Sequence, residues 1–576
     1  MSMVTICRRS SGVADALPGD MHPLLRRIYA ARGVCEAAQL ELSMDRLSPV
    51  GELDGVTEAA KLLLKHRHCG GRVLIVGDFD ADGATSTALV VRQLRRLGFA
   101  DVDYLVPNRF QFGYGLTPEI VALAASRKPT LIVTVDNGVS SLAGVEAAQR
   151  HGIEVLITDH HLPGSSLPAA IIVNPNLPSS RFASKALAGV GVAFYVMAAL
   201  TRELRNRGEC AAEASVADFL DLVAVGTVAD LVPLDFNNRI LVQQGLRRIR
   251  AGRCVPGVRA LLEVAGKRLD RVVASDLGFQ LGPRLNAAGR LDDMSIGIEC
   301  LLTDDVDKAR RVAAQLTQLN LERRDLEQRM QQEALDIVKN IGAEDVALPL
   351  GVCLFDEHWH QGVVGLVASR VKDRVHRPVI AMARADERML KGSARSVPGV
   401  HIRDVLDAVA AHHPGLIEKF GGHAMAAGLS IAADRFADFQ TAFADEVSRC
   451  MTIEDARGVL HSDGELSAED LTLEAAHALR AAGPWGQAFP EPLFDGCFEV
   501  VERRILSERH LKLKVRLQAD SPPLDAIAFR HFDHEDAPDI APSTRVELAY
   551  RLNVNEYAGT ERLQLIVEHV EPLGAT

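Results

Sequence analysis

Short apolar runs alternate with helical stretches between about residues 70 and 235. The strand-length runs, which lack polar alternation, are VLIV (73–76), DYLV (103–106), TLIVTV (130–135), EVLIT (154–158) and AIIV (170–173). Strands that are buried on both faces have this pattern. The segments ATSTALVVRQLRRLG and SSLAGVEAAQRHG between them have helical spacing and end in glycine. The pattern predicts a domain with a parallel α/β sheet at residues 70–235.

A helical block follows this sheet, from about residue 236 to 344. Residues 304–340 contain no glycine or proline and carry apolar residues at helical spacing. They predict one helix, roughly 55 Å long if it is unbroken. Such a helix could pair with a second copy as a coiled coil, but a connection between two α/β bodies needs no partner. We therefore favour a connecting helix.

Two further domains are predicted after the long helix. Residues 350 to about 432 alternate again between strand-like and helical runs and predict a second α/β domain. Residues 455–576 contain five short alternating runs separated by turns with Pro, Asp or Gly, which predict a small β-barrel of the OB-fold type. We expect residues 1–69 to form an N-terminal segment that packs on the first sheet domain.

The composition is that of a globular protein, with 47% hydrophobic and 24% charged residues among 576. No run of eighteen apolar residues predicts a transmembrane helix, and the N-terminus lacks the apolar core of a signal peptide. The nine cysteines are scattered and form no CxxC pair, so neither a zinc cage nor a disulfide framework is indicated. We expect a cytoplasmic protein with no membrane partner.

The net charge of −12 argues mildly against binding nucleic acid over the whole surface. Between residues 245 and 290, however, basic side chains outnumber acidic ones by ten to three. The basic residues are Arg247, Arg248, Arg250, Arg253, Arg259, Lys267, Arg268, Arg271, Arg284 and Arg290. This asymmetry suits a phosphate backbone, although a solvated helical face is the commoner cause.

The strongest chemical signal is GDFDADG (77–83), directly after the first strand of the predicted sheet. Three carboxylates, those of Asp78, Asp80 and Asp82, crowd one glycine-bounded turn and would repel one another without a cation. A single Asp after a strand is usually only a helix cap. Three at alternate positions indicate a cation site.

Two other predicted strands end in the same way. TLIVTV runs into Asp136, and EVLIT runs into Asp159, His160 and His161. Because ligands bind beyond the carboxyl ends of strands in open parallel sheets, these side chains converge on one edge. Asp230 in GTVADLVP could complete the set, although alone it would be a weak signal.

Carboxylates and imidazoles without thiolates favour Mn²⁺, with Mg²⁺ as the alternative. Five to seven ligands exceed the needs of one ion, so we expect two ions roughly 4 Å apart. Such a pair activates water for attack on a phosphodiester. No Ser-His-Asp or Cys-His arrangement of similar density competes with this site.

At these residues the sequence resembles the DHH phosphoesterase family, whose name describes the triplet Asp159-His160-His161. The match continues through GPRLNAAGRL (282–291), HQGVVGLVASR (360–370), GSARS (392–396) and GGHAMAAGL (421–429). The resemblance implies a DHH domain, a DHH-associated domain at about 345–450 and a C-terminal OB-fold. It implies a 5′→3′ exonuclease that converts single-stranded DNA to 5′-mononucleotides in recombination and repair.

The resemblance also assigns roles to residues. Catalysis would involve Asp78, Asp80, Asp82, Asp136, Asp159, His160, His161 and Asp230. Metal ligation would fall to Asp80, Asp82, Asp136, His160 and Asp230, with Asp78 and His161 either ligating or supporting. His161 could instead contact the scissile phosphate.

Substrate binding would use residues of several motifs. The expected contacts are Arg109, Arg284, Asn286, Arg290, His360, Ser393, Arg395, Gly421, Gly422 and His423. A hydroxyl, guanidinium forks and glycine backbone amides suit an anionic strand. In the barrel, Phe529, Phe532 and Tyr557 either stack on bases or fill the core.

Rival functions and expected partners complete the predictions. One rival function is hydrolysis of short oligonucleotides or cyclic dinucleotides, which the basic block and the barrel disfavour. Another is a single-strand-binding scaffold without catalysis, which the full set of acids and histidines disfavours. We expect a monomer, and the resemblance adds two protein partners, a single-strand-binding protein and a RecQ-type helicase.

Overall fold

The computed structural model describes residues 4–10, 12, 17–108, 115–211, 213–342, 348–533, 537–557 and 559–573. The first domain alternates strands and helices. In chain order with the N-terminal segment, the elements are β1 (Val4–Arg8), α1 (Pro23–Ala30), α2 (Val56–His68), β2 (Val73–Gly77), α3 (Ala81–Arg96), β3 (Val102–Leu105), α4 (Pro118–Ala125), β4 (Leu131–Val135), α5 (Leu142–Arg150), β5 (Glu154–Thr158), β6 (Ile171–Val173), α6 (Gly189–Asn206) and α7 (Leu220–Ala229).

The predicted parallel sheet is confirmed. Its strand order is β3-β2-β4-β5-β6, and every neighbouring pair is parallel. Successive residues of β2 face opposite sides, because side chains alternate along a strand. Val73 and Ile75 join a core with α3 and α6, whereas Leu74 and Val76 join a second core with α4 and α5. Burial on both faces explains the uninterrupted apolar runs.

A helical region connects this domain to the next one. Its helices are α8 (Phe236–Arg250), α9 (Pro256–Val264), α10 (Ala274–Asp276), α11 (Gly282–Leu291), α12 (Ser295–Leu302) and α13 (Val306–Gly342), with a π-helical turn at Leu277–Leu281. The predicted long helix is confirmed as α13. Its first half contributes Ala313 and Leu316 to the core of the first domain, and its second half contributes Met330 and Ala334 to the core of the following domain.

The second α/β domain contains a five-stranded mixed sheet. Its elements are β7 (Val352–Phe355), α14 (Val364–Val375), β8 (Val379–Arg384), β9 (Met389–Arg395), α15 (Ile402–His412), β10 (Lys419–Gly422), β11 (Ala426–Ala432) and α16 (Phe436–Cys450). The strand order is β10-β11-β9-β8-β7, and only β7 and β8 pair in parallel.

The predicted barrel is confirmed as well. The C-terminal elements are β12 (Gly458–Ser462), α17 (Leu473–Ala481), β13 (Phe494–Leu506), β14 (His510–Arg516), β15 (Leu524–Ala528), β16 (Arg545–Tyr557) and β17 (Thr560–Pro572). The last five strands close in the order β13-β14-β15-β17-β16. Within the described ranges, no helix is both long enough and apolar enough to cross a membrane.

The N-terminal segment contacts two domains. Helix α2 buries Leu63 and Leu64 in the core of the first domain, on which we expected this segment to pack. In addition, β1 pairs in parallel with β12, and α1 buries Leu24 and Ile28 in the barrel core. The first thirty residues therefore tie the C-terminal domain to the first one, a contact that local patterning did not indicate.

Candidate metal centre and nucleic-acid cleft

Three strands deliver polar side chains to one edge of the first sheet. Gly77 of β2 is level with Val135 of β4, and Val135 is level with Thr158 of β5. The next residue along each strand is Asp78, Asp136 or Asp159, so the three carboxylates start from neighbouring backbone positions. The convergence expected from the sequence is therefore present.

Three overlapping groups at this edge have the geometry of metal sites. Within each group, the candidate ligand atoms lie within 4.8 Å of one another. The groups, among the residues that the structure describes, are Asp78-Asp80-Asp136, Asp82-His160-Asp230 and Asp136-His160-His161. Because Asp136 and His160 each belong to two groups, the geometry suits two adjacent ions that share ligands.

The turn that carries Asp80 and Asp82 is held by helix termini. Asp80 caps α3 by accepting a hydrogen bond from the Gly83 amide at 3.0 Å. Asp82 accepts hydrogen bonds from the amides of Gly189 (2.6 Å) and Val190 (2.9 Å), at the start of α6. Burial and the charge of Asp80 nevertheless raise the pKa of Asp82 to about 7.

Asp136 occupies a constrained position. Its backbone has a φ of 63°, in the left-handed region, and its amide donates to the Thr158 carbonyl. Burial raises the pKa of Asp136 well above its usual value, and the charges of Asp82, Asp80 and Asp230 add to the effect. The pKa of Asp230 rises for the same reasons. Carboxylates packed this closely are stabilised as anions when a cation lies between them.

His160 fits a metal ligand. Its Nε2 atom lies 3.1 Å from Oδ1 of Asp136 and 3.5 Å from Oδ2 of Asp230, yet among the described residues it has no hydrogen-bond partner. Burial lowers the pKa of His160 to about 4, so the ring offers a lone pair. A neutral imidazole that faces two carboxylates in this way accommodates a divalent cation.

Asp159 lies behind the edge and orients the histidines. Its Oδ1 atom accepts hydrogen bonds from the amides of His160 (2.7 Å) and His161 (3.1 Å) and from Nδ1 of His161 (2.8 Å). Its other oxygen accepts the Val139 amide at 2.8 Å. Burial alone would raise the pKa of Asp159, but these hydrogen bonds and the charge of His161 lower it overall. Burial alone would lower the pKa of His161, but the hydrogen bond to Asp159 and its charge raise it overall.

The second α/β domain faces this edge across a cleft. The ring of His423 stacks on that of His161, with 6.3 Å between the ring centroids. Next to it, Gly422 has a φ of 149° and packs so closely on Ala426 that a Cβ atom would clash. The GGH motif therefore presents its histidine directly to the DHH motif.

A basic group surrounds the start of α14 and contains four of the residues predicted to bind substrate, namely Arg290, His360, Ser393 and Arg395. A Cβ atom on Gly365 would lie 3.0 Å from Nη2 of Arg395 and 3.3 Å from Oγ of Ser393. Gly362 donates its amide to Nδ1 of His360 (3.1 Å) and accepts a hydrogen bond from Arg290 (3.0 Å). Gly421 has open space around it.

Two other predicted binding residues have structural contacts instead. Asn286 accepts a hydrogen bond from the Ala81 amide at 2.8 Å, and so supports the start of α3. Arg284 is buried against α13, where it donates to the Gln280 carbonyl (2.6 Å) and to Thr317 (3.2 Å). The structure thus places Arg284 inside the fold and not on an open DNA path. Arg109 lies outside the described residues.

Much of the basic block is likewise used within the protein. Arg248 pairs with Asp218, Lys267 with Asp276, and Arg271 with Glu556 and Glu561 of the barrel. Arg250 and Arg259 donate to backbone carbonyls. The charge asymmetry therefore arises partly from domain contacts, and it is a weaker indication of a DNA channel than the sequence suggested.

The barrel aromatics also differ from one another. Phe529 is 57% exposed and meets His510 edge to face. Phe532 packs against the barrel core. The side chain of Tyr557 lies outside the described residues. Of the two described side chains, Phe529 is the one placed where a base could stack.

Three supporting residues were missed from the sequence. Asn174 donates to the His161 carbonyl (2.8 Å) and Asn176 to the His160 carbonyl (2.6 Å). Both follow β6, so the rule that polar residues after a strand reach this edge applies to them as well. Gly189 allows α6 to approach the site, because a Cβ atom there would lie 2.6 Å from Asp136.

The structure has a parallel sheet with carboxylates and paired histidines at one edge, and this edge faces a second α/β domain. These features define a metal-dependent phosphoesterase of the DHH class. The DHH family, N-terminal domain, matches residues 72–227, the DHHA1 domain matches 347–449, and the RecJ OB domain matches 462–569. The chain is 54% identical to the single-stranded-DNA-specific exonuclease RecJ of Dickeya dadantii, over 100% of both chains. It is 52% identical to that of Escherichia coli, over 99% of both. The chain belongs to the RecJ family of single-stranded-DNA-specific exonucleases.

Solved structures agree with this assignment. RecJ of Thermus thermophilus in complex with Mn²⁺ has a TM-score of 0.82 and 30% identity, covering 100% of this chain and 80% of that one. The same protein in complex with Mg²⁺ has a TM-score of 0.75 and 28% identity, covering 100% and 79%. The shared fold therefore extends over the whole chain.

Proposed function

We propose that this exonuclease digests single-stranded DNA in the 5′→3′ direction and releases 5′-mononucleotides, with Mn²⁺ as its working ion. The observation that carries the proposal is the cluster of Asp78, Asp80, Asp136, Asp82, His160 and Asp230 in groups that fit divalent cations. The activity corresponds to the names of relatives that are 50–54% identical over 96–100% of this chain.

The ligand chemistry supports a divalent ion bound by oxygen and nitrogen. Mn²⁺ and Mg²⁺ both accept carboxylates, but an imidazole such as that of His160 favours Mn²⁺. Two bound ions would supply positive charge for the attacked phosphodiester and lower the pKa of a water molecule. We assign Asp136 as the shared ligand, with Asp78 and Asp80 on one side and Asp82, His160 and Asp230 on the other.

The remaining residues position the substrate. His161, held by Asp159, points its ring toward the cleft and stacks on His423. In this proposal the pair, which lies between the two domains, contacts the scissile phosphate. Ser393, Arg395, Arg290 and His360 around the start of α14 supply donors for a terminal phosphate. We propose that this phosphate site selects the 5′ end.

Digestion of end-labelled strands tests the proposal. With Mn²⁺, a 5′-labelled single strand should release labelled mononucleotide at once, whereas a 3′-labelled strand should shorten as a ladder. Asp82→Asn and His160→Ala should each reduce the rate by at least about a thousandfold, because each removes a ligand. The exposed controls Asp445→Asn and His151→Ala should keep the wild-type rate.

Three results would contradict the proposal. Full activity of Asp82→Asn or His160→Ala would show that catalysis does not need the proposed metal centre. Immediate release of mononucleotide from a 3′-labelled strand would show that digestion runs 3′→5′. A preference for dinucleotides or cyclic dinucleotides over long strands would favour the rival function. Comparison of Mn²⁺, Mg²⁺ and no metal in the same assay identifies the working ion.

We also propose that the protein acts in the cytoplasm as a monomer, beside a single-strand-binding protein and a RecQ-type helicase, in DNA recombination and repair. This rests on the family resemblance. Light scattering tests the monomeric state, and co-purification from the native cell tests the two partners.

A further inference from the structure

An open cavity of about 130 Å³ lies away from the metal centre, where three parts of the chain meet. Helix α8 contributes Arg239, Gln243 and Arg247, which are four residues apart and so share one helix face. The other walls come from the N-terminal segment and from residues 481–484 and 489, which lead into the barrel. None of the residues assigned to catalysis lines it.

The most unusual group in this cavity is the guanidinium of Arg239. The residue is only 6% exposed, and its guanidinium lies 4.3 Å from the ring centroid of Phe489. Within the part of the chain that the structure describes, no hydrogen bond or ion pair holds it. The acid closest in sequence, Asp235, already accepts hydrogen bonds from Ser184 and Asn238.

A second buried arginine nearby shows what a purely structural role requires. Arg32, with a side chain only 1% exposed, forms an ion pair with Asp463 at 2.7 Å and donates to the Pro490 carbonyl. Arg239 has no such ionic partner among the described residues, and its guanidinium lies over the rings of Phe489 and Phe236 instead. An anion from outside the protein would supply the missing partner.

The cavity has the charge and shape for such an anion. Its lining includes two guanidinium groups and, among the described residues, no carboxylate. Guanidinium forks match phosphate oxygens, and the amide of Gln243 adds a donor. Leu40, Leu42 and Phe489 form an apolar wall beside these groups.

We propose that this cavity binds the phosphate group of a small ligand, either inorganic phosphate or a nucleoside monophosphate. The phosphate lies between Arg239, Gln243 and Arg247, and any nucleoside rests on the apolar wall. Because the cavity joins the catalytic domain to the N-terminal segment and the barrel linker, an occupied site holds these parts together. Binding then stabilises the folded protein by mass action.

Calorimetric and thermal-shift titrations of the full-length protein test this site. The probes are inorganic phosphate, deoxyadenosine monophosphate and deoxyadenosine, each with and without Mn²⁺, since binding at the metal centre needs the ion. Arg239→Met and Arg247→Met should each weaken phosphate or monophosphate binding by at least about tenfold. They should abolish the rise in Tm and leave the nuclease rate unchanged.

The matched control is Arg248→Met on the same helix, whose side chain pairs with Asp218 outside the cavity. It should bind the probes as the wild type does. Arg247 is exposed, so Arg247→Met tests the site even if Arg239→Met fails to fold. Tighter binding of the monophosphate identifies a nucleotide ligand, and equal binding identifies free phosphate; both support a phosphate site.

Two outcomes overturn the proposal. The first is unchanged metal-independent binding of both phosphate probes in Arg239→Met and Arg247→Met. The second is deoxyadenosine binding as tightly as its monophosphate. Neither outcome affects the nuclease assignment, which is measured separately on labelled strands.

Discussion

At the scale of single residues, the metal centre depends on backbone groups as much as on its acids. Asp82 accepts hydrogen bonds from two amides at the start of α6. Asp159 accepts four hydrogen bonds, three from His160 and His161 on its own loop and one from the Val139 amide on the neighbouring loop. Such supporting contacts fix the direction of each ligand before an ion arrives. Small changes behind the ligands should therefore have large effects.

Gly189→Ala should reduce nuclease activity by at least about tenfold, because a new Cβ atom would lie 2.6 Å from the Asp136 side chain. The initial rate on a labelled single strand measures this. Gly191→Ala is the matched control, since its Cβ atom would contact the Leu187 side chain, at 3.0 Å, and no metal-ligand carboxylate. Equal rates for the two variants would show that Asp136 tolerates displacement.

Asp159→Asn should lower turnover roughly 10–100-fold, the usual range for a residue that supports metal ligands. The amide cannot accept all four hydrogen bonds as the carboxylate does, so His161 loses its orientation. Steady-state rates with saturating Mn²⁺ measure the effect, with Asp445→Asn as the exposed control. Wild-type turnover would show that His161 needs no such support.

At the scale of elements, α13 sets the distance between the two halves of the cleft. The centre of this connection is a buried charge network, in which Arg323 donates to Glu327 (2.6 Å) and to Asn320 (3.0 Å). Arg370 of α14 donates to the other oxygen of Glu327 at 3.0 Å. The network fixes α14, and with it the basic group at the α14 start, against the connecting helix.

Glu327→Ala should lower the free energy of unfolding by about 3 kcal/mol, because Arg323 would remain buried without its partner. A calorimetric scan should show the loss as a lower Tm for the transition of the second domain. The control Glu322→Ala lies exposed on the same helix and should leave the Tm unchanged. If both variants melt alike, the network does not stabilise this joint.

At the scale of the whole molecule, the two ends of the chain hold each other. Strand β1 pairs with β12, and Arg32 forms an ion pair with Asp463, 431 residues further along the chain. Both side chains of this pair are 1% exposed. The N-terminal segment therefore attaches the barrel to the catalytic domain. This attachment is additional to the chain that connects the domains in order.

Arg32→Met should destabilise this attachment by about 3 kcal/mol, since it leaves the buried Asp463 carboxylate with only the more distant Arg9, at 4.0 Å. Limited proteolysis should then cleave between the second domain and the barrel faster than in the wild type. Adding Asp463→Asn removes the stranded charge and should restore part of the resistance. The exposed control Arg46→Met should have no effect, and a wild-type cleavage rate in Arg32→Met would refute the role of the pair.

Local patterning predicted the elements that form this fold. Runs such as VLIV and TLIVTV became strands of the parallel sheet because burial on both faces selects continuous apolar residues. The glycine-free stretch 304–340 became a helix for an equally local reason. The acids and histidines after three strands met at one edge because parallel strands all end on the same side.

Tertiary structure decided which of these residues face the cleft and which support it. A motif such as GPRLNAAGRL cannot show that Arg284 is buried against α13 or that Asn286 accepts the Ala81 amide. Nor does any nearby residue indicate that β1 pairs with β12 or that His423 stacks on His161. These contacts join positions hundreds of residues apart, and they form only when separate domains pack together. Local sequence patterns thus account for the elements and for the chemistry of the metal edge, whereas the packing of the domains sets how that edge is supported and approached.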